Sequence, residues 1–188
     1  MSDLLSYTVT FLEMVGRPSR PPAPRPTVPV MLLRCDTPSV RFYRYLYASV
    51  GDPWLWFERR LMPAEDLAQV LADPKVSIHI VYRDGEPIGY FELNRSAAPT
   101  IDLAYFGLMP NAVGQGIGPW LLDQAIAQAF DEGASVMTVN TCTLDSPRAL
   151  PMYQRAGFVP VRREERTVEN PRLRLAAMPK PACWIEIA

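Results

Sequence analysis

Residues 100–122 read TIDLAYFGLMPNAVGQGIGPWLL. The run 100–110 is apolar, aromatic and closed by Pro110, which reads as a strand. A loop with Gly114, Gly116 and Gly118 follows. A helical pattern over 117–132 then puts Leu121, Leu122, Ala125, Ile126 and Ala129 on one face, with Gly133 at its end. Glycine at a helix start costs backbone entropy, so something must offset the missing Cβ atoms. In a loop between a strand and a helix, successive backbone N–H groups converge. The first N–H groups of the helix add unpaired donors at the positive end of its dipole. Such a place takes phosphates. No lysine follows the glycines, so this is not a P-loop, and the spacing is not the GxGxxG of a dinucleotide fold. Pro119 suits the helix start, where a missing N–H costs little. On the glycines alone, an anion cradle and a tight structural turn remain equally open.

The surrounding chain supplies a mixed sheet. SYTVTFLEM (6–14) alternates as a strand, and VPVMLLRC (28–35) is the next. Between them RPSRPPAPRPTVP (17–29) is an extended, polyproline-like connector, so the two strands are expected to form a hairpin with a stiff link. A PxxP ligand for another protein is the alternative use of that segment. Residues 39–51 have helical spacing with Gly51 as the C-cap, and 63–73 form an amphipathic helix. VSIHIVYRDGEPIGYFELNR (76–95) is a hairpin about Asp84-Gly85. SVMTVNTCTL (135–144) is a strand. SPRALPMYQRAGF (146–158) is a short helix that Ser146 can cap and Pro151 shortens. Residues 159–170 are strand-like, and CWIEIA (183–188) reads as a last strand. The fold class is α/β (α+β): a mixed, mostly antiparallel sheet with helices on both faces. The segment 100–144 forms a right-handed parallel βαβ crossover. One domain is expected over residues 1–188. It divides into the N-terminal hairpin (1–35), a pair of helices (36–75), the core (76–170) and a tail (171–188).

Composition narrows the function. The chain of 188 residues is 48% hydrophobic and carries a net charge of -1, which gives no reason to expect nucleic acid. Cys35, Cys142 and Cys183 are widely spaced and odd in number, against a disulfide framework or a CxxC metal site. His79 is the only histidine, so neither a His-rich zinc site nor a Ser-His-Asp triad is expected. No signal peptide and no membrane span are read, so the expectation is a cytoplasmic protein with no metal and no membrane partner.

A second motif follows the glycine loop. ALPMYQRAGF (149–158) places a tyrosine on a short helix that ends in Gly157-Phe158. A GxGxG loop at one helix, then a strand, then a helix ending Y-x-x-x-G-F, resembles the GNAT superfamily of N-acetyltransferases. The motifs cover roughly residues 76–160, and WFERR, FGLMP and LDSPRALPMYQRAGF resemble a bacterial subgroup. The resemblance implies acetyl-CoA as co-substrate, with direct transfer to an amine in a ternary complex. It implies that Gly114, Gln115, Gly116, Ile117 and Gly118 take the pyrophosphate, with Val113 where the family usually has a polar residue. Leu108 and Met109 supply backbone donors for the thioester oxygen. Ser146 stands where the family often has asparagine.

Tyr153 is the candidate acid, because a phenol is protonated at neutral pH and can give its proton to a thiolate. Asp102 is a candidate base, placed by alternation on one face with Ala104, Phe106 and Leu108. Glu92, on the neighbouring strand, is its rival. Cys142 lacks an evident activator for a nucleophilic role. The acceptor pocket is expected from Trp54, Trp56, Phe57, Arg59 and Arg60, with Phe106. Aromatic faces bind an ammonium, and arginines bind a carboxylate. A small, amino-acid-like amine satisfies both. A protein or peptide acceptor is a second reading. The third is a non-catalytic CoA-binding module, which would work through the proline-rich segment and admits a homodimer.

Overall fold

The computed structural model describes residues 4–175, so residues 183–188 and Cys183 lie outside the described residues. Seven strands form one sheet: β1 (Leu4–Val15), β2 (Met31–Cys35), β3 (Val76–Arg83), β4 (Glu86–Ala97), β5 (Thr100–Leu108), β6 (Val136–Cys142) and β7 (Val159–Glu169). The helices are α1 (Val40–Gly51), α2 (Glu58–Leu61), α3 (Ala64–Ala72), α4 (Ile117–Asp131), α5 (Ala149–Ala156) and α6 (Pro171–Arg174). The strand order is β2-β3-β4-β5-β6-β1-β7, antiparallel throughout except for the parallel pair β5–β6.

Each face of the sheet carries its own core. On one side α4 and α5 bury Leu121, Leu122, Ala125 and Phe158 against Phe91, Leu103 and Val139. On the other, α1 and α3 bury Tyr43, Leu46 and Leu67 against Ile78, Ile80 and Tyr90. Among the described residues no helix is long and apolar enough to cross a membrane.

The expected N-terminal hairpin does not form. β1 lies between β6 and β7, whereas β2 pairs with β3 at the far edge of the sheet. The connector explains why. Five interstrand steps separate β1 from β2, roughly 24 Å at about 4.8 Å each. Residues 16–30, at about 3.1 Å per residue in a polyproline-like form, reach further than that. A run rich in prolines stays extended, which suits a crossing of this kind. The connector is also packed down. Arg20 bonds the Asp123 carboxylate of α4 and, at 2.8 Å, the Ala156 carbonyl of α5. Val28 and Val30 pack on the α4-side core. The segment is a strap across the domain, not a free proline-rich ligand.

Two caps also differ from expectation. Gly51 stays within α1, and the left-handed residue comes later, at Leu55 with φ 56°. Gly51 is required for space: a Cβ there would stand 2.5 Å from Trp56. α5 starts at Ala149, so Ser146 closes the preceding turn, its Oγ accepting from Arg148 N at 3.3 Å.

Candidate active site

The parallel pair β5–β6 is short. Its register runs only from Thr100↔Val136 to Leu103↔Val139, although both strands continue beyond it. The cause lies in β5. Glu92 of β4 faces Tyr105 and Leu93 faces Leu103, so Ala104 is an extra residue, a β-bulge. Past the bulge the two strands diverge, and a cleft of about 530 Å³ opens between them. Residues 104–108 of β5 and 139–142 of β6 form its sides.

The bulge also sets which backbone groups face the cleft. Met109 N donates to Ile88 O at 2.8 Å, so Gly107 and Tyr105, of the same parity, direct their groups at β4. Phe106 and Leu108 direct theirs to the opened side. Leu108 therefore keeps its expected place on the cleft, while Met109, buried and bonded to β4, does not.

At the cleft's glycine end, Gly114 (φ 86°) and Gly116 (φ 75°) hold left-handed conformations that favour glycine, and a Cβ on either would meet nothing within 4 Å. Both line the cleft, with Val113, Gly118 and Pro119. Gln115 turns away: Arg83 donates to its Oε1 at 2.5 Å, and its own amide donates to Asn111 O. Ile117 is fully buried in the α4-side core and contributes no side chain to the cleft. Arg148 and Arg155 also line the cleft, and neither guanidinium has an ion-pair partner among the described residues.

α5 holds Tyr153 against the opened strand, with Phe106 edge-on at 6.2 Å and Phe158 at 6.0 Å. Burial, and then Asp145, push its phenol well above the ordinary value, so it stays protonated. Its hydroxyl has no hydrogen-bond partner among the described residues. Ser146 lines the cleft nearby.

Neither expected base reaches this space. Asp102 lies before the bulge and does not line the cleft. Its Oδ1 accepts from Thr138 Oγ1 at 2.7 Å across the closed part of the β5–β6 pair. Burial raises its pKa and that bond opposes the rise. The bulge breaks the alternation that would have aligned it with Phe106 and Leu108. Those two side chains share the α4-side core with Leu103, while Tyr105 packs into the α1-side core. Glu92 is completely buried, with Tyr43 donating to Oε2 at 2.5 Å and Arg59 to Oε1 at 2.9 Å. Burial raises its pKa against the pull of Arg59 and Tyr43. It is a structural ion pair beneath α1.

Of the acceptor residues, Trp54, Trp56, Phe57 and Phe106 line the cleft. Arg59 does not, being committed to Glu92 and stacked over the Tyr105 ring at 5.3 Å, and Arg60 pairs with Asp52 at 2.5 Å. Cys142 is on the wall, but burial and Asp145 push its thiol up to about 12, so it is no thiolate at neutral pH. His79 is buried and stacked on Phe91 at 4.6 Å, away from the cleft.

Among the lining residues not read from the sequence are Tyr7, Glu58, Asn140, Asp145 and Arg166. Asp145 fastens the walls together. Its Oδ1 accepts from Trp56 Nε1 at 3.1 Å, and its Oδ2 from Thr141 Oγ1 and Cys142 N. Glu58 stood in sight within WFERR, beside the arginines that drew attention. Tyr7 and Arg166 are paired on β1 and β7, so nothing short of the strand order could place them here.

A family profile described as "Acetyltransferase (GNAT) family" matches residues 42–158, well over half the chain. The chain belongs to the GNAT acetyltransferase family. Solved structures of the same fold include a GCN5-related N-acetyltransferase from Sphaerobacter thermophilus, with a TM-score of 0.57 and 18% identity. That match covers 87% of this chain and 51% of the other. One from Kribbella flavida gives 0.54 and 19%, covering 87% and 58%. An aminoglycoside acetyltransferase from an uncultured soil metagenomic sample, in complex with trehalose, gives 0.56 and 15%, covering 68% and 87%. The chain thus spans between half and two thirds of the length of the first two. No functionally curated protein matches it. GNAT membership supports acyl transfer as the reaction class.

Proposed function

We propose that this GNAT protein moves the acetyl group of acetyl-CoA to the amine of a small molecule. The observation that carries the proposal is the opened β5–β6 pair. Its backbone groups at Phe106 and Leu108 face a cleft that starts at an open glycine cradle and passes Tyr153. The residues present suit the co-substrate. The cradle has room where side chains would be, at the start of the fifteen-residue α4, and backbone N–H groups there favour phosphate. Two unpaired arginines, Arg148 and Arg155, complement a polyanion. The cleft volume is that of an ordinary small-ligand site.

Bound acetyl-CoA would supply a thioester open to attack by an amine, with a thiolate as leaving group. The chain's own groups divide the remaining work. Leu108 N–H is fixed in the strand before any reaction, which suits a developing oxyanion. Tyr153 holds a proton at its hydroxyl for a thiolate. Trp54, Trp56 and Phe57 wall the acceptor end and exclude water from it.

The cradle is tested by Gly116→Ala. The added methyl enters open space, and the left-handed backbone costs about 1–2 kcal/mol of stability. Calorimetric titration should show CoA affinity reduced at least tenfold in a protein that remains folded. Equal affinity in the two proteins would overturn the assignment of the cradle.

A further inference from the structure

Glu58 and Asp145 are the acidic residues on the cleft, and only one of them is available. Asp145 has both oxygens engaged by Trp56, Thr141 and Cys142. Glu58, the first residue of α2, accepts a single hydrogen bond, from Tyr105 Oη to Oε2 at 2.8 Å. Burial keeps the Tyr105 phenol protonated, so it acts as the donor and orients the carboxylate. Oε1 has no partner among the described residues. Glu58 is exposed to the cleft and makes no ion pair there.

The two arginines that follow it in the chain are spoken for. Arg59 is paired with Glu92, and Arg60 with Asp52. Arg166 lines the same end, gives two bonds to Glu164, at 2.9 and 3.3 Å, and shares that carboxylate with Arg162. Glu58 and Arg166 both act electrostatically on the Tyr7 hydroxyl, which places them at one end of the cleft. Glu58 is the carboxylate there with an oxygen left open to a ligand. The walls are aromatic: Trp54, Trp56, Phe57 and Tyr105, with the Trp56 and Tyr105 rings 5.4 Å apart. Aromatic faces and a carboxylate attract the same kind of ligand, an organic cation with an aromatic body.

We infer that Glu58 anchors the ammonium group of an aralkylamine acceptor. The inference rests on the reading of this cleft as an acetyl-transfer site, with this end receiving the amine, and it takes the acceptor's anchor to be Glu58 in place of Arg59 and Arg60.

The test is equilibrium titration of phenethylamine into the full chain and into Glu58→Gln, with CoA titrated into both as reference. Glu58→Gln keeps the size and the Tyr105 bond on an exposed residue, so folding is not at stake. Phenethylamine should bind the full chain, and Glu58→Gln should weaken it at least tenfold and leave CoA affinity unchanged. Phenethylamine that fails to bind the full chain, or binding that survives the substitution, would overturn the inference. If phenethylamine behaves as expected while CoA fails to bind the unaltered protein, the acetyl-transfer reading falls and the Glu58 cation site stands.

Discussion

Tyr153 stands between Phe106 and Phe158 with a hydroxyl that bonds to nothing else among the described residues. Tyr153 lines the cleft, so a ligand there can meet that hydroxyl. In Tyr153→Phe the ring contacts persist and only the proton donor is lost. Turnover should fall by roughly 100-fold, within the usual range for removal of a general acid, while CoA affinity changes little. Steady-state kinetics with a separate CoA titration will check this, and unchanged turnover would remove Tyr153 from the chemistry. Tyr153 was legible in the sequence because its signal is local: a short helix ending in Gly157-Phe158, one strand beyond a glycine loop. Glu92 and Asp102 lie off the cleft for separate reasons: Glu92 is sealed under α1 with Arg59 and Tyr43, and the extra residue at Ala104 puts Phe106 and Leu108 on the face opposite Asp102.

At the scale of elements, β3 carries a titratable group that ties stability to pH. His79 is buried, its Nδ1 has no partner among the described residues, and burial lowers its pKa from 6.5 to about 4. Above pH 6.5 the imidazole is neutral whether the chain is folded or not, and it contributes no pH dependence. Between pH 6.5 and about 4 the unfolded chain binds the proton and the folded chain does not. Stability therefore falls as pH falls through that window, by about 3 kcal/mol at its acid end. Urea unfolding at a series of pH values should show this loss, and His79→Phe, which preserves the stacking on Phe91, should remove most of it. An identical slope in the variant would assign the loss elsewhere. The hairpin that carries His79 was readable from its alternation and its Asp84-Gly85 turn, both residues of which take positive φ. The caps of α1 and α5 were not, because the chain continues into further turns that only packing selects.

For the whole molecule, the informative feature is the place of β1. Sequence periodicity identifies a strand but not its neighbours, and the proline-rich segment favoured a local hairpin only if its length was ignored. With β1 between β6 and β7, the first strand joins β7 to the rest of the sheet and brings Tyr7 to the cleft. A chain beginning at Gly16 would leave β7 with no strand to pair with among those described, and β6 with one edge bare. It should lose the cooperative unfolding transition of the full chain, seen by circular dichroism on heating. A truncated chain that melts like the full one would contradict the strand order. If acetyl transfer takes place in this cleft, mass spectrometry of a reaction containing the protein, acetyl-CoA and phenethylamine will detect it. N-acetylphenethylamine and free CoA should appear in equal amounts, with both slowed together in Tyr153→Phe. Free CoA without the acetylated amine, or neither product, would exclude that transfer.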